Sequence, residues 1–334
     1  MVFDTKNYVQ ILKTVLNFFW VVISIALLFS CGSVANHGQS DILLADPTIL
    51  SDHGKYYLYG STSGGKDSTN RGFLVYESND LLGWKEKGYA LRKGDAYGDT
   101  GFWAPHVVKR NGSYYMIYTA NEQLALAESK SPLGPFVNQD KHYFKSEVRL
   151  IDPYIFIDND KSYLFHVRRI GNNNEIFVVE LEEDLRTMKE GTLIKCLSVS
   201  LDWEDCDEFS NTSVQGPSVV KLDGKYYLFY SANNFRSPYY AVGYATSNSP
   251  VGPWIKPSNI ALIDRDRINE NGPGHGDVFF QDDKKKLTYV FHTHHSKEKL
   301  RPRKTGMLSL HVDTLEYKLT IKEGSFRYLN FSNK

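Results

Sequence analysis

Cysteine is nearly missing from this 334-residue chain. There are three, at 31, 196 and 206. Neither their spacing nor their neighbours suggest a zinc site. An excess of either charge is missing too: 39 basic residues face 39 acidic ones. That balance gives no electrostatic case for a nucleic-acid partner. No apolar run is long enough to cross a bilayer, which takes roughly 20 residues; Val15 to Phe29 offers about 15. No long stretch carries a helical period, so the chain does not read as a helix-based fold.

The short apolar run still has a reading. It follows a weakly basic start holding only Asp4, Lys6 and Lys13 as charges, the pattern of a secretory signal. Leu28-Phe29-Ser30-Cys31 resembles a bacterial lipobox, in which the cysteine is lipidated and becomes the mature N-terminus. An ordinary signal peptide with an incidental cysteine, or an uncleaved anchor, is the plainer alternative. The expectation is a signal peptide over 1–30, a small polar tether over 31–40 and one folded domain over 41–334, exported and held to a membrane through Cys31. Without residues 1–30 the chain keeps 37 basic and 38 acidic residues. In an export compartment a Cys196–Cys206 disulfide is permitted, subject to geometry.

Aromatic residues make up 14% of the chain, which suits strands and surfaces that stack on sugar rings. Five short segments share one aromatic strand pattern: Lys55-Tyr56-Tyr57-Leu58-Tyr59, Ser113-Tyr114-Tyr115-Met116-Ile117, Ser162-Tyr163-Leu164-Phe165, Lys225-Tyr226-Tyr227-Leu228-Phe229 and Thr288-Tyr289-Val290-Phe291. The aligned residues are Tyr57, Tyr115, Tyr163, Tyr227 and Tyr289. Pro47, Pro105, Pro153 and Pro217 each stand ten residues before their tyrosine. Proline is tolerated at the first residue of a strand. Each unit therefore reads as a strand opened by proline, a polar turn such as Asp223-Gly224, and a returning tyrosine strand. A third strand ends in a turn like Ser131-Pro132-Leu133-Gly134 or Ser249-Pro250-Val251-Gly252, and an aromatic begins a fourth. Four antiparallel strands per unit, in five units, describe an all-β five-bladed β-propeller. A β-sandwich is the second reading, but it would not require the prolines to recur in register.

In a propeller the first strand of each blade lines the axis. The residues just before the four prolines are Asp46, Ala104, Asp152 and Gly216, with Gln215 one further back. Two carboxylates and an amide then face one axial pocket from different blades. A single Asp-Pro pair is more simply a turn aspartate; two in the same register of a closed repeat point to function.

At these residues the chain resembles glycoside hydrolase family 43. The resemblance rests on Ala45-Asp46-Pro47, Phe102-Trp103-Ala104-Pro105-His106, Ile151-Asp152-Pro153-Tyr154, Gln215-Gly216-Pro217 and Gly274-His275-Gly276-Asp277, which span nearly the whole folded region. It implies an inverting hydrolase that releases arabinofuranosyl, xylosyl or related units from plant polysaccharides. Asp46 would be the general base and Asp152 the residue that tunes the acid's pKa. A glutamate would stand before Gly-Pro as general acid. Inverting hydrolysis needs a carboxylate to deprotonate water and a protonated carboxyl to serve the leaving oxygen.

Here that acid position holds Gln215, and an amide cannot deliver a proton. Three explanations stand open. The protein is a binding-only relative; or its acid comes from Glu204, Asp205, Asp207, Glu208 or Glu270; or the amide was engineered to trap substrate.

Trp103, His106, Phe235, Arg236, His275 and Arg303 are the expected substrate contacts, with Tyr239 and Tyr240 on the loop that carries Arg236. Trp103 could instead be a core aromatic, and His275 a residue bonding between blades. In the resemblance His275 lines the axis, in some members beside a bound calcium or sodium ion. No cofactor is required, and no metal ligand set is assigned; a structural calcium at the axis is compatible with the resemblance. His292, His294 and His295 alternate imperfectly and make a poor transition-metal motif. Arg168 is a further candidate for sugar hydroxyls, at the end of the strand that holds His166. Lys284-Lys285-Lys286 reads as a solvated hairpin turn. The expected partners are a carbohydrate and a membrane, and the protein is expected to be a monomer.

Overall fold

The computed structural model describes residues 40–62, 71–206, 208–281 and 286–332. The signal-peptide and lipidation expectations, Cys31 included, lie outside these residues. So do Asp207, Lys284 and Lys285.

Each proline-marked segment is the inner strand of an antiparallel sheet, and there are five sheets. The first holds Ala45–Asp52, Lys55–Ser61, Gly72–Ser78 and Gly83–Arg92. The second holds Trp103–Arg110, Ser113–Ala120, Gln123–Ser129 and Tyr143–Phe144. The third holds Leu150–Asp158, Lys161–Ile170, Asn173–Leu181 and Ile194–Leu197. The fourth has three strands, Val214–Leu222, Lys225–Ala232 and Ala241–Ser247. The fifth holds Gly274–Gln281, Lys286–Thr293, Lys304–Asp313 and Lys318–Ile321.

The five inner strands touch in cyclic order, which makes the sheets the blades of a five-bladed propeller. In the fourth blade the expected outer strand is reduced to single bridges, Val242 with Ile263 and Thr246 with Ile255. Pro250, Pro253 and Pro257 lie in or beside this segment and bring no N–H to a ladder.

Between each pair of neighbouring blades lies one apolar cluster, five in all. Phe73 and Tyr118 fill the seam of blades one and two. Phe229 and Tyr289 stack in the seam of blades four and five, with ring centroids 5.1 Å apart. The hairpin turns add polar latches. Asp52 accepts from Lys109 Nζ (2.8 Å) and Tyr114 Oη (2.7 Å) of the next blade. Asp158 is held in the same way by Lys221 Nζ (3.0 Å) and the Tyr226 hydroxyl.

The ring closes between blades five and one. Asn330–Phe331 adds in parallel to Gly83–Trp84. Ile42 donates to Leu329 O (2.8 Å), and its carbonyl accepts from Thr305 N (3.0 Å). The fifth copy departs from the sequence register by one residue. Thr288, not Tyr289, takes the position of Tyr57, because the fifth hairpin closes at Gln281–Lys286 where the first closes at Asp52–Lys55. Cys196 and Cys206 are not joined: their Sγ atoms turn to Ile194 O (4.0 Å) and Trp203 O (3.5 Å).

Candidate active site

The blades deliver their inner residues to the axis by one repeated backbone device. Asp46, Ala104, Asp152, Gly216 and His275 have φ of 48°, 44°, 56°, 61° and 39°. Each sits in a bulge at the same point of its inner strand. For a residue other than glycine this left-handed conformation costs about 1 kcal/mol or more. Four such residues are held at the axis by the surrounding structure.

Their backbone N–H groups are satisfied by the preceding blade. Ser61 Oγ accepts from Ala104 N (2.8 Å), Thr119 Oγ1 from Asp152 N (3.0 Å) and Ser231 Oγ from His275 N (2.8 Å). His292 Nδ1 does the same for Asp46 N (3.0 Å). In the third blade this position is Val167, which has no acceptor. The Gly216 N–H turns to Asp152 Oδ2 instead (3.4 Å). Glycine is required at 216 on a second count, since a Cβ there would lie 2.8 Å from the His275 ring.

Asp46 is buried beside the Arg303 guanidinium and the rings of His275 and His292. Burial pushes its carboxyl up, but Arg303, His275 and His292, with the Ser61 hydroxyl, outweigh it and hold the group well below the usual carboxylate range. Arg303 Nη1 and His275 Nδ1 each stand 3.3 Å from Asp46 Oδ1, and Ser61 Oγ donates to Oδ2 (2.5 Å). Asp152 is shifted the other way. Its burial raises it, and the neighbouring Asp46 charge adds to that against the pull of His275. His275 Nδ1 bridges the pair, 3.8 Å from Asp152 Oδ2. The environment thus separates two aspartates into an ionised one and one that holds its proton more tightly, the arrangement that divides acid–base roles.

Gln215 is buried on the fourth blade, one residue before the bulge. Its Nε2 donates to Tyr240 Oη (2.9 Å). Tyr240 is wholly buried, and burial raises its phenol far above the ordinary value. Its ring occupies the space that a side chain at Gly274 would need.

These groups open into a cleft of about 1030 Å³. Trp103, Phe235 and Arg236 line it, as expected, along with Asp46, Asp152, Gln215, His275 and Arg303. His106 does not. It lies one layer deeper, stacked on Tyr154 at 3.9 Å with its Nδ1 accepting from Ile155 N (3.1 Å), and burial lowers its pKa to about 3. Tyr239 turns outward beneath the Arg265 guanidinium. Arg168 lies over Phe177, and the neighbouring Arg169 lines the cleft instead. His166 is buried, which lowers its pKa to about 4. His294 Nε2 donates to Phe235 O (3.1 Å) and His295 Nδ1 to Pro302 O (3.0 Å), so both position cleft loops.

Of the suggested replacement acids, the four among the described residues stay out of the cleft. Glu204 is enclosed in a pair with Lys256 Nζ (2.7 Å) and accepts from Tyr230 Oη (2.5 Å). Glu270 lies against Tyr328. Asp205 and Glu208 are not among the cleft residues. The one further carboxylate lining the cleft among the described residues is Glu122, paired with Arg149 Nε at 3.1 Å.

Sequence reasoning missed Tyr240's inward role, Arg149, Arg301 and Asp277. Asp277 lies beneath the cleft, where its oxygens accept from Thr48 Oγ1 (2.6 Å) and Ser218 Oγ (2.9 Å). For Asp277 a signal was available, since it stands two residues after His275, the place that Thr48 and Ser218 hold in their blades.

A calcium ion takes six to eight oxygen ligands. Around the axis His275 offers nitrogen, and both Asp277 oxygens already accept hydroxyls, so these side chains do not make such a shell by themselves. Among the described residues no group of three or more His, Cys, Asp or Glu side chains is arranged to hold a metal.

The chain is similar to known proteins in sequence and in fold. A beta-D-galactofuranosidase of Aspergillus niger is 26% identical over 263 residues, covering 71% of this chain and 70% of that one. A xylosidase/arabinosidase of Bacteroides ovatus is 24% identical over 252 residues, covering 63% and 76%. The crystal structure of an endo-1,4-beta-xylanase from Bacteroides thetaiotaomicron superposes with a TM-score of 0.80 at 35% identity, covering 88% of this chain and 99% of that one. A thermostable family-43 glycoside hydrolase gives 0.76 at 35% identity, covering 85% and 94%. With its residues 41–319 matching the profile of the glycosyl hydrolases family 43, the chain belongs to that family.

Proposed function

We propose that the protein takes arabinofuranosyl or xylosyl units of plant-derived glycans into the axial pocket and cleaves them with inversion, under a handicap at the acid position. The observation that carries this is the pairing of an ionised Asp46 with a buried amide at Gln215. Asp46 removes a proton from water as the water attacks the anomeric carbon. Asp152, less readily ionised, orients the site beside it. The glycosidic C–O bond breaks, and the leaving oxygen faces Gln215. The amide donates a hydrogen bond but no proton, so the leaving group takes its proton from solvent. The xylosidase/arabinosidase of Bacteroides ovatus supports the sugar assignment.

General acid catalysis contributes typically 10²–10⁴-fold. Gln215→Glu is expected to raise kcat/KM on arabino- and xylo-oligosaccharides by about that factor. Aryl glycosides, whose leaving groups need little proton help, should change far less. Fast hydrolysis of the natural oligosaccharides by the unaltered protein, with no gain from glutamate, would remove the acid assignment from position 215.

A second reading is favoured by the position of Glu204 and Glu270 outside the cleft: a glycan-binding protein that has lost turnover. It predicts oligosaccharide binding with no hydrolysis of either substrate class. In both readings the protein is exported and tethered through lipid on Cys31. Labelling with a radioactive fatty acid, and its loss in Cys31→Ala, tests the tether.

A further inference from the structure

The cleft is more basic than the protein. Five arginines line it against three carboxylates, in a chain of zero formal charge. Two of the arginines are committed, Arg303 to Asp46 and Arg149 to Glu122. Arg236 and Arg301 have no carboxylate partner among the described residues. Both are exposed, and their guanidinium carbons lie 5.0 Å and 5.8 Å from the centroid of one ring, Phe235. Arg303 lies 5.3 Å from the same centroid.

Three like charges around one ring repel each other. The π face of Phe235 offsets part of that, and His294 and His295 fix the two loops that bring the charges together. Burial lowers the Arg301 pKa first, and the charges of Arg303 and Arg236 add to this against the opposing charge of Asp46. Of the three, Arg303 has Asp46 as its partner, and Arg236 and Arg301 make no ion pair among the described residues. The guanidinium fork matches a planar carboxylate in two parallel hydrogen bonds.

We infer that Phe235, Arg236 and Arg301 form a subsite for an anionic substituent of the glycan, the carboxylate of a uronic acid. This rests on the glycan reading of the cleft given above. It adds a requirement that the reading does not contain: the preferred ligand is acidic.

The test uses the full-length protein and three xylo-oligosaccharides of equal length. One bears a glucuronic acid branch, one the same branch with its carboxyl reduced to an alcohol, and one a sulfate ester. Calorimetry should give a Kd about tenfold lower for the uronic acid form than for the reduced form in 20 mM salt. The advantage should shrink to about twofold near 1 M salt, where the screening length falls to about 3 Å. In Arg301→Gln the two affinities should converge. Equal binding of the acidic and reduced forms by the unaltered protein overturns the subsite and leaves the glycan reading standing. Tighter binding of the sulfated form overturns the carboxylate assignment. Failure of all three to bind removes the glycan reading and the subsite together.

Discussion

Arg303 is the residue whose removal tests the electrostatics most directly. Its Nη1 stands 3.3 Å from Asp46 Oδ1 in a buried setting. At that distance and an effective dielectric constant of about 20, the attraction is worth about 5 kcal/mol. One pK unit is about 1.4 kcal/mol, so this attraction corresponds to holding the Asp46 carboxyl down by about three and a half units. His275, His292 and Ser61 remain in Arg303→Met and keep part of the effect. The expected rise in Asp46 is therefore about one to three units. In the proposed reaction Asp46 is the base and must be ionised, so the acidic limb of kcat/KM on an aryl glycoside should move up in pH by the same amount. Arg303→Lys keeps the charge and should keep the limb near its original place. The sign for stability runs the same way. A depressed carboxylate stabilises the folded state above its unfolded pKa, and this is lost as pH falls through the folded value. Arg303→Met should therefore lose stability at neutral pH and show a flatter decline in acid. A uniform drop in rate at every pH, with the limb unmoved, would refute the reasoning and leave Arg303 as a substrate contact alone.

Three further outcomes follow from the geometry. Gly216→Ala places a Cβ 2.8 Å from the His275 ring at a φ of 61° and should cost about 1–3 kcal/mol in chemical denaturation, with loss of ligand binding. Asp277 has its pKa raised to about 6 by burial, against the Thr48 and Ser218 hydroxyls. Its contribution to stability is full below the unfolded value and fades as pH rises through about 6; Asp277→Asn should flatten the thermal-stability profile between pH 4 and 7, and an unchanged slope would contradict this. Trp103→Ala should weaken oligosaccharide binding by about 1–3 kcal/mol in calorimetry if its half-buried ring stacks on sugar.

The blade count was legible because proline and tyrosine mark two ends of one hairpin, and hairpins of fixed length keep them in register. The fifth copy shows the limit. A hairpin two residues longer moves Thr288 into the tyrosine position, and the eye aligns Tyr289 instead. Asp46, Asp152 and Gln215 were found because their place in the repeat sends them to the axis. His106 shares that place in the repeat two residues further on, where the strand has already carried it beneath the cleft. Tyr240 and Arg301 come from connections between strands, and no period governs where such segments fold. Their roles depend on contacts across blades, such as the Tyr240 ring filling the space above Gly274.

The seam between the first and last blades has a consequence in time. The N–H of Asp46 is held by His292, 246 positions later in the chain, and its carboxylate by Arg303, 257 positions later. During synthesis Asp46 comes early and its counter-charge almost last. A nascent chain that ends before blade five therefore has this aspartate without Arg303, His275 and His292, and the aspartate behaves as an ordinary acid. Asp46 gains these partners together, when blade five closes the ring. A chain truncated after blade four would be expected to lose the chemistry altogether, even though it keeps Asp46, Asp152 and Gln215.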